Sequence, residues 1–404
     1  MKVQSVYLIS ENSFLLQRLD KLFDTENWKV NYIGGKKSNF RKHDSFIPIN
    51  TSFNRSFIEA LLLKEELLES LNGLVILGSD AEMRQIADSD AKPWIKEKLL
   101  PFKNTLGYST LDSKIGLLHV TAQLGVKTPK QIVAHNMIQV SNLVSKSQNS
   151  LLIKGNSGGG GAFIVEIDST TRFPNSKLDH ISYPFVVQEK IYGHQIAVEA
   201  FYSDGELTGY IYNKDILDMS LFGPSYIRTS SQPESMDFIE SLLLMGKGLG
   251  VHGMVNCTFI LETETQKHYL VEFDARPNIW HHLASIHQMK TNQLFEVSLG
   301  HGLAVPLAQI QVVSIGRFTQ HALMASQAKV WWNLIRIITN RSSYSIEVAS
   351  QEPMRKIGYA IRKFSRFFLL VLLVKGFRTL PIRWQAAFKR RGITLRMSTR
   401  IMGQ

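Results

Sequence analysis

The 404-residue sequence predicts an α/β domain with a parallel sheet, then an α+β body with an antiparallel sheet, then a basic helical segment. Three observations lead to this prediction. Apolar runs alternate with helix-like patterns at the start, the pattern changes near Leu111, and an excess of basic residues follows Gln351. A chain of this length is too long for one compact core and suits two or three domains.

The first predicted domain, residues 1–107, alternates strand and helix signals. Apolar runs predict strands at Val3–Ile9, Trp28–Ile33 and Leu74–Leu77, and leucine spacing predicts helices at Phe14–Phe23 and Ser56–Asn72. This alternation is typical of a parallel, doubly wound sheet. The glycine spacing of a dinucleotide-binding fingerprint is missing, which argues against a Rossmann cofactor site.

The body that follows has the pattern of an antiparallel sheet. Its predicted helices are Leu111–Leu124 and Met236–Leu249, and its predicted strands are Leu151–Lys154, Phe163–Ile167, Phe185–Glu189, Ile196–Tyr202, Leu207–Tyr212, Met254–Leu261 and Tyr269–Phe273. Asp204 and Gly205 tolerate the positive φ of a tight turn, so they predict a hairpin between two of these strands.

Composition limits the classes of protein that the chain can belong to. It is 44% hydrophobic and 20% charged, which is ordinary for a soluble globular protein. The single Cys257 excludes an intramolecular disulfide and no cluster resembles a zinc site, so a reducing cytoplasm is expected. The first apolar run is broken by Glu11 and Asn12, and without a small-residue cleavage pattern no signal peptide is predicted.

The sharpest local signal is a lysine followed by a glycine run. A predicted buried strand delivers Lys154, and the loop after it contains Ser157, Gly158, Gly159, Gly160 and Gly161. Glycines without Cβ let backbone N–H groups converge on an anion while the lysine adds a positive charge, which indicates phosphate binding. A flexible loop beside a surface lysine is the alternative. The order differs from a P-loop, where the lysine follows the glycines.

A second signal is the strand end at Gln188 and Glu189. Ile191 and Gly193 follow this apolar run closely. Such a strand end can offer backbone groups to the edge of an adenine, and a solvated strand end is the alternative interpretation.

The third signal is an acid–acid–base series at the last predicted strand. A period of two places Glu272 and Asp274 on one face of that strand. Two carboxylates on one face repel unless a cation lies between them, and Mg²⁺ prefers such hard oxygen ligands. Arg276 continues the spacing and can hold a phosphoryl oxygen during transfer. The exposed face of an amphipathic strand is the alternative.

Taken in this order, the three signals resemble the ATP-grasp superfamily, in particular the branch of biotin carboxylase, the carbamoyl phosphate synthase large chain and amino-acid ligases. The resemblance covers residues 108–301 and implies a pre-ATP-grasp domain at 1–107, a small subdomain at 108–190 and a large subdomain at 191–302. It implies a ligase that uses ATP and Mg²⁺, or Mn²⁺, to activate a carboxylate as an acylphosphate for attack by an amine or thiol.

The resemblance assigns the phosphate side of this site residue by residue. Lys154 is expected to contact the ATP phosphates, and Lys114 matches an earlier ATP-contacting lysine of the family. Ser157–Gly161 match the mobile loop over the phosphates. Arg276 matches the arginine of the metal motif, and Arg276 and Lys154 are the expected catalytic residues.

The adenosine side follows from the same resemblance. Gln188, Glu189 and Ile191 are expected to line the adenine hinge. Gln195 or Glu199 falls near the position of a ribose-binding acid in the family, although neither position is a clear match.

Glu272 and Asp274 match the two closing positions of the family's metal motif, with two departures. The family usually has Asn where Asp274 stands, so this site carries one more negative charge. The preceding strand usually supplies another ligand, and here it contains Asn256 and no carboxylate. Either Asn256 supplies a neutral oxygen or one metal ion binds, and turnover of ATP is left open.

Contacts with the substrate are expected near Arg228. An arginine can pair bidentately with a small or carrier-linked carboxylate, and an exposed structural arginine is the alternative. Two other functions are kept open: a kinase that stops after phosphorylation, and an ATP-binding, membrane-associated module without turnover. The acceptor amine and the oligomeric state are not predicted.

The segment at 303–404 matches no ATP-grasp element. Residues 351–404 carry 13 Lys/Arg against one Asp/Glu, which accounts for the whole net charge of +12. The apolar run Phe367–Val374 is far shorter than the roughly 20 residues that span a membrane. Its basic flanks suit an anionic membrane surface at the inner face of a membrane, or a helix packed on the body. Apolar blocks make nucleic acid the least favoured partner.

Overall fold

The structure, a computed structural model, describes most of the chain up to residue 306 and two short segments beyond it. The described residues are 3–11, 16, 19–35, 38–51, 55–147, 149–158, 161, 163–167, 183–218, 222–223, 225–278, 280–281, 283–295, 303–306, 310–314 and 344–347. The chain divides into two compact units. The first comprises Met1–Ile216, Ser220–Pro224 and Thr229–Gln309, and the second comprises Leu217–Met219, Ser225–Arg228 and Ile310–Gln404.

Strands and helices are numbered in chain order within these residues. The strands are β1 (Gln4–Ile9), β2 (Trp28–Gly35), β3 (Phe46–Ile49), β4 (Leu74–Leu77), β5 (Gln131–Ala134), β6 (Leu151–Gly155), β7 (Ile164–Ile167), β8 (Phe185–Glu189), β9 (Gly193–Ser203), β10 (Glu206–Asp218), β11 (Ser225–Ser230), β12 (Gly253–Glu262), β13 (His268–Asp274), β14 (Ile310–Ser314) and β15 (Tyr344–Glu347). The α-helices are α1 (Phe57–Leu62), α2 (Glu65–Ser70), α3 (Asp80–Asp88), α4 (Pro93–Leu99), α5 (Lys114–Leu124), α6 (Met137–Val144), α7 (Asp237–Leu249), α8 (Leu283–Ile286) and α9 (Thr291–Phe295).

A parallel sheet organises the N-terminal part of the first unit. Its order is β3-β2-β1-β4, and each neighbouring pair is parallel. This confirms the predicted parallel α/β arrangement. The edge strand β3 was not predicted, because Pro48 interrupts its apolar pattern. A proline lacks the N–H of a ladder hydrogen bond and is tolerated in a strand at the edge of a sheet.

Two predicted helices of this part differ in the structure. The predicted helix Ser56–Asn72 begins as expected, with a capping box between Ser56 and Glu59, but it is two helices, α1 and α2. The break lies at Lys64, whose backbone leaves the helical region at φ −95° and ψ 55°. Of the predicted helix Phe14–Phe23, the structure describes a short 3₁₀ turn at Leu19–Leu22, and residues 12–15 and 17–18 lie outside the described residues.

A small antiparallel sheet follows, with the order β5-β8-β6-β7. Its apolar core is formed by buried side chains of its strands and of α6, including Val140, Ile153, Phe185 and Val187. The strands β6, β7 and β8 agree with the predicted ones to within one residue. The sheet therefore presents its other face, which carries Lys154, away from α6.

A larger antiparallel sheet completes the first unit with the order β13-β12-β9-β10. The predicted hairpin is confirmed at the turn of Asp204 and Gly205, where φ is 52° and 90°. Val198 and Cys257 share a buried apolar cluster with Phe238 of α7. The alternation of a strand then places the neighbours of these residues on the opposite face, where the candidate site lies.

The second unit contains strands among its described residues. β14 and β15 pair in parallel, with Gln311 opposite Tyr344. The prediction for 303–404 named helices and did not include these strands. The basic part at 351–404 lies outside the described residues. In the part of the chain that is described, no helix is both long and apolar enough to cross a bilayer.

Candidate functional site

Lys154 lies on β6, inside the small sheet, and only 8% of its surface is exposed. Its Nζ donates a 2.8 Å hydrogen bond to Oε1 of Gln188 on β8. Burial lowers the pKa of Lys154 to about 8, because a charged amine is poorly solvated there. Glu272 raises this pKa and Lys114 lowers it further, so the charges of all three residues interact.

The glycine loop begins directly after β6 and is attached to the start of α5. Nζ of Lys114 donates to the carbonyl of Gly158 at 2.8 Å, and the N–H of Gly158 donates to Oδ1 of Asp112 at 3.1 Å. Oδ1 of Asn156 accepts hydrogen bonds from Ser113 Oγ and the Ile115 N–H, each at 3.0 Å. Lys114, which the resemblance matched to an ATP-contacting lysine, therefore contacts the glycine loop in this structure.

The other end of the loop lies against a second backbone segment. Gly161 has φ 74°, and a Cβ at this position would lie 2.2 Å from the carbonyl oxygen of Phe222. Glycine is required here both by the positive φ and by the close approach. Ser157 is exposed, while Gly159 and Gly160 lie outside the described residues.

The predicted adenine hinge lies at the end of β8. Gln188 is buried and faces Lys154, whereas Oε1 of Glu189 accepts a 2.5 Å hydrogen bond from Nδ2 of Asn149. Ile191 is half-buried. A small pocket in front of Gln188 is lined by residues of both antiparallel sheets, including Lys154, Gln188 and Leu270, and by Lys114 of α5.

Glu272 and Asp274 share one face of β13, as the period of two predicts. Across the ladder, Glu272 pairs with Thr258 and Asp274 pairs with Asn256 on β12. The Thr258 hydroxyl donates to Glu272 Oε2 at 3.2 Å. The charge of Asp274, and then burial, raise the pKa of Glu272, while Arg276, Lys114 and Lys154 oppose this shift.

Arg276 lies between two carboxylates. Its Nη2 donates to Asp274 Oδ2 at 2.9 Å, and its Nε donates to Asp80 Oδ2. Burial and the charge of Asp274 raise the pKa of Asp80 to about 7, against the effect of Arg276. Sequence reasoning missed Asp80, because an acid after Ser79 at a helix start is a common capping pattern.

The donor set at this face is compatible with Mg²⁺. Glu272 and Asp274 offer hard carboxylate oxygens, and the raised pKa of Glu272 reports a repulsion that a cation relieves. Asn256 lies in the same row, but its Oδ1 accepts a 3.1 Å hydrogen bond from Asn278 Nδ2. No group of three or more His, Cys, Asp or Glu among the described residues is arranged to hold a metal ion.

The two candidate ribose residues lie at different places on β9. Glu199 is fully buried, pairs with Asn256 across the ladder and accepts a hydrogen bond from Asn213 Nδ2. It therefore shares the row of Asp274. Gln195 lies four residues earlier and pairs with Ile260, closer along β9 to the end of β8.

Arg228 belongs to the second unit. Only 4% of its surface is exposed, and its Nε donates a 2.6 Å hydrogen bond to Ser225 Oγ. The alternative of an exposed structural arginine is therefore wrong, because the side chain is buried.

Comparison with known proteins gives structural matches only. No protein-family model matches the sequence, and no curated protein does. The chain is similar to an L-amino acid ligase from Bacillus licheniformis, at 15% identity and a TM-score of 0.51, over 72% of this chain and 70% of that one. A second match is N5-carboxyaminoimidazole synthetase from Staphylococcus aureus with ADP, at 10% identity and a TM-score of 0.55, over 75% and 80% of the two chains.

A third match is the biotin carboxylase domain of Hydrogenobacter thermophilus 2-oxoglutarate carboxylase, solved with MgADP and bicarbonate. The identity is 13% and the TM-score is 0.53, over 73% of this chain and 69% of that one. At such low identities these similarities establish a shared fold.

Proposed function

The chain has the ATP-grasp fold, and from this premise we propose that it is an ATP- and Mg²⁺-dependent ligase that activates a carboxylate for attack by an amine. One observation carries the proposal. Glu272 of the large sheet raises the pKa of Lys154, while Lys154 and Lys114 lower the pKa of Glu272, so the two lysines and this carboxylate lie close together. Two cations beside a pair of carboxylates suit a phosphate chain with its divalent cation.

The nucleotide would lie between the two antiparallel sheets. Lys154 and Lys114 would neutralise phosphate oxygens, and the N–H groups of the glycine loop would donate to them. The end of β8, with Gln188 and Ile191, would hold the adenine, and Gln195 the ribose. Glu272 and Asp274 would hold Mg²⁺, which supplies neutralisation of phosphate charge.

The reaction that fits these residues has two steps. A carboxylate oxygen of the substrate attacks the γ-phosphorus of ATP, the bond to the β–γ bridging oxygen breaks, and ADP leaves. The amine nitrogen then attacks the acyl carbon, phosphate leaves, and the nitrogen loses a proton to solvent. Arg276 and Lys154 would stabilise the charge of the transferred phosphoryl group, so catalysis rests on positioning and electrostatics.

A specific observation keeps a second function open. The row of Glu272 and Asp274 is completed on β12 by Thr258 and Asn256, which are neutral. Because β12 adds no carboxylate to Glu272 and Asp274 at this site, binding of the nucleotide without turnover is the alternative function. A kinase is the other alternative, because it would use the same phosphate contacts and stop after the first step.

The first experiment tests the nucleotide site. A non-hydrolysable ATP analogue is titrated into the protein by calorimetry, with and without Mg²⁺, and into the Lys154→Ala variant. We expect Mg²⁺-dependent binding that the variant loses. No binding by the folded wild-type protein would contradict the proposal.

A second experiment separates the three functions. Carboxylates and amines are screened together for release of ADP and of phosphate. A ligase releases both, a kinase releases ADP and leaves the phosphate on its product, and a non-catalytic protein releases neither. The amino-acid ligase among the similar structures makes amino acids the first set to screen.

Four further expectations stay predictions. They are the use of Mn²⁺ in place of Mg²⁺, the cytoplasmic location, the membrane-surface contact of residues 351–404 and the binding of a carboxylate by Arg228. Sedimentation of the protein with anionic vesicles, beside neutral ones, tests the membrane contact. An anionic surface attracts basic segments and a neutral one does not.

A further inference from the structure

The contact between Arg276 and Asp80 joins the segment after β13 to the start of α3 in the N-terminal part. The two residues are 196 positions apart in the sequence, and their side chains are 16% and 18% exposed. An arginine has five N–H donors. In the described part of the chain its bonds to Asp80 and Asp274 use two of them, which leaves three for a ligand.

We propose that Asp80 is a positioning residue, which fixes the guanidinium of Arg276 so that the free N–H groups hold the phosphoryl group in transfer. This inference rests on the proposed function. A guanidinium held by Asp274 alone keeps one hydrogen bond and can turn about it. A second carboxylate on a different element removes that freedom, because it fixes the Nε edge while Asp274 holds Nη2.

The backbone around Asp80 is itself held in place. Asp80 is the first residue of α3, directly after Ser79, whose hydroxyl caps the helix. Two residues further along, Oε1 of the buried Glu82 accepts hydrogen bonds from Ser10 Oγ at 3.1 Å and the Glu11 N–H at 2.8 Å. These bonds attach the start of α3 to the end of β1. Asp80 therefore projects from a rigid support, as a positioning residue requires.

Helix α3 also carries a second Arg–Asp ion pair, which does not belong to the candidate site. Arg84 Nε contacts Asp88 Oδ2 at 2.7 Å, with the side chains 41% and 59% exposed. In this pair, as in the contact between Arg276 and Asp80, the arginine Nε lies against an aspartate Oδ2. The Asp88→Asn variant therefore removes an equivalent charge from α3 and serves as the control.

The test measures binding of MgADP alone and of MgADP with aluminium fluoride, which mimics the phosphoryl group in transfer. Wild-type protein should bind MgADP and bind it more tightly with the fluoride. In Asp80→Asn we expect MgADP affinity within about twofold of wild type, and a loss of between about 10- and 100-fold in the tightening by fluoride. Asp80→Glu should recover most of this tightening, and Asp88→Asn should match wild type.

Each contrary result identifies what has failed. Full tightening in Asp80→Asn, or no recovery in Asp80→Glu, would overturn the positioning role. An equal loss of affinity for MgADP alone would show that Asp80 only supports the fold. A folded wild-type protein that does not bind MgADP would overturn the proposed function and this inference with it. Thermal unfolding verifies that each variant is folded. If Asp80→Asn does not fold, Asp80→Ser takes its place, because serine suits a helix start.

Discussion

Nζ of Lys154 donates a 2.8 Å hydrogen bond to Oε1 of Gln188, and the two residues lie on neighbouring antiparallel strands. Lys154 pairs with Val186 in the register, so Gln188 is its diagonal neighbour on the same face. Both side chains are buried. The lysine is thus held by a neutral amide in a place where its charge is poorly solvated.

The first prediction concerns the Lys154→Met variant. We expect affinity for an ATP analogue to fall about 100-fold, because a full charge next to the phosphates is lost. Near neutral pH we also expect the free energy of unfolding to rise by about 1–3 kcal/mol, since a buried charge is replaced by an apolar chain of similar length. Calorimetry and denaturant unfolding measure the two effects.

The pH dependence of this stability has a defined sign. The pKa of Lys154 falls from 10.5 to about 8 on folding, so the unfolded chain holds the proton more tightly. Wild type should therefore gain stability, relative to Lys154→Met, as the pH rises from about 8 to above 10. The exposed Lys146 provides the control, and Lys146→Met should change neither binding nor this pH profile. Wild-type affinity in Lys154→Met would show that the phosphates bind elsewhere.

The sequence could predict these site residues because each follows an apolar run of strand length. Lys154, Gln188 and Glu272 lie at positions where the alternation of a strand fixes the face of the side chain. Asp80 gives no such signal, because its role depends on a partner 196 residues away. The position of Glu199 away from the end of β8 depends on the register in which β9 pairs with β12. A single sequence does not reveal that register.

The second prediction concerns repulsion between Glu272 and Asp274. The folded pKa of Glu272 lies above its ordinary value, so its ionisation destabilises the fold as the pH rises through that pKa. Without Mg²⁺, Glu272→Gln should therefore unfold at a higher temperature than wild type near neutral pH. Mg²⁺ with ADP should stabilise wild type and have a much smaller effect on the variant.

Thermal unfolding with and without MgADP measures this effect. The control is Glu206→Gln, which removes an exposed carboxylate from β10 of the same sheet. It should respond to MgADP as wild type does. Equal stabilisation of Glu272→Gln by MgADP would remove Glu272 from the metal site.

The third prediction concerns Asp112, whose carboxylate holds the glycine loop. Asp112 Oδ1 accepts the N–H of Gly158, a group that a phosphate would need. A charged acceptor binds an N–H more strongly than a neutral one, so Asp112 competes with the nucleotide. Asparagine, like aspartate, tolerates the φ of 46° at this position. The Asp112→Asn variant should therefore keep the backbone conformation and raise the affinity for an ATP analogue about two- to fivefold.

Calorimetry measures this affinity, and hydrogen exchange of the Gly158 amide reports the weaker hold on the loop. Asp90→Asn, at an exposed position between α3 and α4, is the control and should leave both unchanged. Reduced affinity in Asp112→Asn would mean that Asp112 orders the loop for binding instead of competing with the nucleotide.

The fourth prediction uses two glycines with nearly the same positive φ. Gly161 has φ 74° and Gly125 has φ 70°, so alanine at either position is strained by about 1–2 kcal/mol. A Cβ at Gly125 meets nothing within 4 Å, whereas one at Gly161 would lie 2.2 Å from the Phe222 carbonyl oxygen. Only Gly161→Ala should displace the glycine loop and weaken binding of an ATP analogue, by about tenfold or more. Both variants should unfold at slightly lower temperature than wild type, and Gly125→Ala should bind normally. Equal binding by the two variants would mean that the contact of Gly161 with Phe222 has no part in holding the nucleotide.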